Sequence, residues 1–194
     1  MIRWWLLLLC VPSILAAQDP RLARLDPETR QIVAALVDSA QRAGLPVEPL
    51  VQRALEGVAK GAPGTRITAA VRRLAQDLGS ARLALGESAS APELEAGAAA
   101  LRAGATTDVL RRLHGVRRPP LTMALAVMAD LVTGGVPADS AAAAVLALAP
   151  TARDADLIEF RRAVERDIAL GASPATAATV RVNAGARTAS PGRP

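Results

Sequence analysis

The chain has 194 residues, a net charge of +5, one Cys, one His, one Phe and no Tyr. So mild a positive balance falls short of a nucleic-acid-coating surface, and a single cysteine excludes a disulfide scaffold, leaving the fold to rest on its own core. Ala supplies 44 residues and one Lys stands against 22 Arg. This composition favours closely packed helices and, as the signature of a GC-rich genome, lowers the weight that any single Arg carries.

In chain order, residues 1–17 come first. Arg3, an apolar run from Trp4 to Leu15, and Ala16-Ala17 before Gln18 form the layout of a secretory signal peptide. The run is shorter than the roughly 20 apolar residues of a membrane span; an uncleaved anchor is the alternative reading. Lipidation at Cys10 is disfavoured because Leu9 precedes it. Export to the periplasm or the extracellular space is therefore expected. Cleavage after Ala17 removes the cysteine and both tryptophans and leaves a charge of +4.

Residues 18–182 are expected to form one all-α domain, with about eight short helices in antiparallel hairpins. Whether these make an irregular helical repeat or a compact bundle stays open. Asp26 and Pro27 cap and start a helix that Gly44 ends. From Thr65 to Leu85, helical spacing gathers Ile67, Val71, Leu74, Leu78 and Leu85 on one face. Ser90 with Glu93, and Thr151 with Asp154, have capping-box spacing. The stretch 119–135 is apolar nearly all round and predicts the most buried helix. The helix opened by Thr151 buries Leu157, Phe160, Val164 and Ile168. Residues 183–194 lack periodicity and read as a disordered tail.

A corner motif recurs along the domain. Gly44-Leu45-Pro46, Gly104-Ala105-Thr106, Gly135-Val136-Pro137 and Gly171-Ala172-Ser173 each follow one helical stretch and precede another. Glycine ends a helix in the left-handed conformation, and Pro or a hydroxyl residue opens the next. Glu48, Asp108 and Asp139 fall where a carboxylate meets the positive end of the new helix.

Chemistry-bearing residues are sparse. His114 is alone, so no two-histidine metal site can form, and in the segment LRRLHG it reads as a last-turn residue before Gly115. Lys60 has the same C-terminal explanation. The carboxylates Asp154 and Asp156, and likewise Glu93 and Glu95, lie two apart and diverge on a helix. Asp130 interrupts an apolar helix and is expected to pair with an Arg or to mark a polar edge. No phosphate-loop or dinucleotide glycine pattern occurs, and no catalytic residue, metal, cofactor or small-molecule ligand is inferred.

For binding, Arg111, Arg112, Arg117 and Arg118 make the densest basic patch, a candidate anion site for phosphate or lipid headgroups. No aromatic residue is at hand to stack bases, which argues against nucleic acid. Arg72–Arg73 and Arg161–Arg162 are further doublets on polar helix faces.

The segment GLPVEPLVQRALEGVAKGAP, followed by TRITAAVRRLAQDL, resembles one found in uncharacterised exported proteins of high-GC bacteria. Gly-Leu-Pro, Pro-Leu, Glu-Gly and Ala-Lys-Gly-x-Pro follow in that order over about 35 residues. The resemblance implies export and a helical hairpin and carries no activity. It makes Glu56, Gly57 and Lys60 distinctive. Gly57 inside a helix costs about 1 kcal/mol relative to Ala, which predicts close packing of another helix or a contact site. The function expected is that of an exported, non-enzymatic helical-repeat protein that binds a protein partner or builds an envelope structure. A peripheral binder of polyanions or anionic membrane surfaces, and an undetected hydrolase or lyase, are the alternatives.

Overall fold

The structure, a computed structural model, describes residues 19–188. The expected signal peptide, residues 1–17, and the end of the expected tail, 189–194, lie outside the described residues. After a 3-10 turn (Pro20–Arg24) come α1 (Pro27–Arg42), α2 (Glu48–Ala59), α3 (Gly64–Leu85), α4 (Ala91–Ala103) and α5 (Thr107–Val116). Then follow α6 (Thr122–Thr133), α7 (Ala138–Leu148), α8 (Asp154–Ala169) and α9 (Pro174–Thr188). The fold is all-α, with nine α-helices and no strand among the described residues.

Local chemistry explains most boundaries. The Asp26 carboxylate accepts the Thr29 N–H at 3.0 Å, satisfying one of the donors left over at the start of α1. At its far end Gly44 takes φ +67°, a region that costs an L-residue with a Cβ roughly 1–2 kcal/mol. That turn lets Leu45 N–H reach Ala40 C=O and Gly44 N–H reach Gln41 C=O, closing the helix with a Schellman motif. The same bond, from the residue after glycine to a carbonyl five residues back, recurs at Ala105 to Ala100, Val136 to Leu131 and Ala172 to Asp167. A fifth copy, Ala62 to Gly57, lies at Gly61-Ala62-Pro63 between α2 and α3. It splits the longest interval between the four glycines read from sequence.

The prolines at these corners are used differently. Pro46 does not open α2, whose first residue is Glu48 with Pro49 behind it; Pro137 is the N-cap of α7.

Packing follows chain order. Every principal contact joins elements one or two places apart: α3 with α1, α2, α4 and α5; α6 with α4, α7 and α8; α9 with α7 and α8. Each helix buries its apolar face mainly against helices near it in the chain, and the helices pack compactly. Ile67, Val71, Leu74, Leu78 and Leu85 are all buried on α3. So are Ala124, Leu125, Val127, Met128 and Leu131 on α6. Leu157, Phe160 and Val164 are buried on α8, with Ile168 packed at the edge.

Three boundaries differ from expectation. Thr151 does not cap α8, because its N–H and that of Ala152 bond back to Leu148 C=O and close α7 instead. The helix starts at Asp154, and Asp156 accepts the Arg153 N–H at 2.9 Å. Gly115 does not end α5, which runs on through it to Val116. Finally, α9 continues to Thr188, so residues 183–188 of the expected tail are helical; no proline interrupts the chain until Pro191.

Candidate functional site

The basic patch is taken apart by the fold. The Arg117 side chain, 12% exposed, turns inward from the α5–α6 connection. Its guanidinium donates to the carbonyls of Ala149 at 3.1 Å and Ala152 at 2.5 Å, and to Asp154 Oδ1 at 2.5 Å. It thus closes the carbonyl end of α7 and the acidic start of α8, a demand that a planar guanidinium meets and an ammonium does not. Arg111 lies 3.6 Å from Asp108. Of the four, Arg112 and Arg118 remain exposed without an ion pair among the described residues. The four do not form one anion site.

Arg82 performs the same service elsewhere. It donates to Gly44 C=O at 2.6 Å and Glu87 C=O at 2.8 Å, tying the α1 corner to the α3–α4 connection. The doublets are likewise divided: Arg73 faces Asp77 at 3.6 Å, and Arg161 bridges Asp130 at 3.5 Å and Glu165 at 2.6 Å. Asp130 is an ion-pair residue at the exposed edge of α6.

Glu93 is the most buried charged residue among those described, at 5% exposed. Its Oε2 accepts the Ser90 N–H at 2.9 Å and the Ser90 hydroxyl at 2.7 Å, the reciprocal half of a capping box. Its Oε1 accepts the Leu121 N–H at 2.8 Å, an otherwise orphaned donor just before α6. Burial pushes the Glu93 carboxyl up, but these bonds and the nearby His114 outweigh it and hold the group below the usual glutamate value. His114 itself is exposed. Glu48 is another structural carboxylate: Arg21 donates to it at 2.8 and 2.7 Å, with Gln52 adding a third bond at 3.1 Å. The bond from Arg21, ahead of that from Gln52, lowers its pKa.

Gly57 lies against Ile67 of α3: a Cβ there would lie 2.6 Å from Ile67 Cγ1. Lys60 is exposed at the C-cap of α2. Glu56 takes part in a different feature, a cleft between α2 and α4 that runs over α3. Gln52, Arg53 and Glu56 line one wall, Glu95 and Arg102 the other, and Leu74 and Leu78 the floor. Arg53 and Glu56 pair at 3.3 Å within their wall. Asp77 Oδ2 is buried with no hydrogen-bond partner among the described residues. Arg102 loses some of its basicity, through burial first and then through neighbouring Arg53, against the opposing pull of Asp77 and Glu56.

The cleft brings together Glu56, distinctive in the sequence, and Glu95, noted there only as one of a diverging carboxylate pair. With them come the α3 face residues Leu74 and Leu78, and also Gln52, Arg53 and Arg102, which carried no sequence signal. Charged side chains scattered over residues 53–102 carry no common signal until α2 and α4 are set side by side. Its lining carries both signs of charge over an apolar floor. No three of His, Cys, Asp and Glu among the described residues are grouped to hold a metal ion. No described helix is long and apolar enough to cross a membrane. Compared with protein-family models, curated proteins and solved structures, the chain matches none.

Proposed function

We propose that the chain is an exported, non-enzymatic helical-array protein that binds another protein, as part of an envelope structure or as a partner-binding module, through the α2–α4 cleft. The observation that carries this reading is the cleft's charge pattern. Two walls present both signs, and neither Glu95 nor Arg102 has an ion pair among the described residues. Stacked helical arrays offer extended surfaces of this kind for protein ligands. Export is supported by Arg3, the apolar run and Ala16-Ala17. The polyanion reading loses ground because Arg117 is occupied by backbone carbonyls and Asp154.

A photo-crosslinking residue placed at Gln52 in living cells tests the proposal, with Arg162 on α8 as control. The expected result is one discrete protein adduct from position 52 and none from position 162. No adduct at 52, or the same ladder from both sites, would overturn it.

A further inference from the structure

The exposed side of α4 carries an acid and a base that do not pair with each other. Glu95 and Arg102 are seven residues apart, which puts them on one helix face about 10 Å apart along the axis. Between them stand only Ala96, Gly97, Ala98, Ala99, Ala100 and Leu101, with Ala98 and Ala100 fully buried and Leu101 packed against the core. No long side chain of α4 therefore rises between the two charges, and half-buried Ala99 is the open residue between them on that face. On α8 the same spacing, Glu159 and Arg166, closes on itself at 3.3 Å. On α4 it does not: Glu95 and Arg102 both line the cleft without pairing with each other.

A face with an acid at one end and a base at the other is complementary to itself when turned end for end. That is what a two-fold interface requires, since each residue must meet its counterpart's partner. We propose that the protein docked at the cleft is a second copy of this chain, with the two α4 helices antiparallel and Glu95 of each copy against Arg102 of the other. This rests on the reading of the cleft as a protein-binding site. Exposed ion pairs alone contribute little, and a stable dimer buries about 1,200–2,000 Å² in all. The α2 wall, with Gln52, Arg53 and Glu56, flanks α4 and enlarges the surface.

Sedimentation velocity of the purified mature chain over a concentration series tests it. The native protein is expected to show a monomer–dimer equilibrium. Glu95→Arg and Arg102→Glu should each weaken it at least about tenfold, with unchanged circular dichroism because both sites are on the surface. The double variant Glu95→Arg/Arg102→Glu should return to within a few-fold of the native protein. An equimolar mixture of the two single variants should form a heterodimer, since one then carries only bases and the other only acids. A native protein that stays monomeric, or a dimer indifferent to these changes, would overturn self-docking. Should the chain be monomeric while position 52 crosslinks to a different protein, self-docking falls and the protein-binding reading of the cleft stands. An adduct of twice the chain mass supports both.

Discussion

Two kinds of connection hold the helices together, and they differ in where their information lies. At Gly44, Gly61, Gly104, Gly135 and Gly171 the turn is closed by its own backbone, through a bond from the residue after glycine to a carbonyl five back. The connections α3–α4, α5–α6 and α7–α8 lack that bond. They are held by side chains: Arg82 bonds Glu87 C=O in the α3–α4 connection and also ties it to the Gly44 corner 38 residues away. Arg117 reaches 32 and 35 residues to Ala149 and Ala152, and Glu93 reaches 28 to Leu121. The first kind depends on one residue's conformational freedom. The second depends on satisfying carbonyls and N–H groups that would otherwise be buried without partners.

The largest effect expected from breaking that contrast is at Arg117. Arg117→Ala leaves two carbonyls and Asp154 without their donor and should cost about 3 kcal/mol in denaturant unfolding. A loss below 1 kcal/mol would place the stability of these connections elsewhere. Glu93→Gln should cost about 2 kcal/mol at neutral pH, because an amide cannot accept on both sides. The folded Glu93 pKa lies below its unfolded value. Its contribution is therefore complete above the unfolded value of about 4.3 and fades as pH falls through the folded one. The stability gap between native protein and Glu93→Gln should narrow over that acid range, and a gap that widens there would contradict the assignment.

Gly57→Ala should destabilise by about 1 kcal/mol even though Ala is the better helix former by a similar amount, since its Cβ meets Ile67. In an Ile67→Ala background the same change should turn stabilising, which a double-mutant cycle reads directly. The smallest effect sharpens the glycine half of the comparison. Gly79 lies inside α3 with open space around it, so Gly79→Ala should stabilise by about 0.5–1 kcal/mol. Gly104→Ala, at φ +112°, should lose about 1 kcal/mol.

The same contrast explains what could be read from the chain before folding. Corners such as Gly104-Ala105-Thr106 state their geometry within three residues, and the α3 face repeats its apolar positions at helical spacing. Glu93 and Ser90 were recognisable as a cap, but the bond from Leu121 was not, because no local pattern links residues 93 and 121. Arg117 looked like one of four surface cations for the same reason. Its local neighbours are basic, and its acceptors lie a helical hairpin away. Thr151 misled because capping-box spacing is meaningful only where the preceding helix has released its donors. The cleft formed by Arg53, Glu56, Glu95 and Arg102 was invisible at this level, since only the packing of α2 and α4 on α3 assembles it.

Hydrogen exchange of the Arg117→Ala variant tests the central claim most directly. If one guanidinium holds two connections, amides in residues 116–121 and 149–154 should lose protection together, while those at the Gly104 corner keep theirs. Faster exchange confined to 116–121 would contradict it.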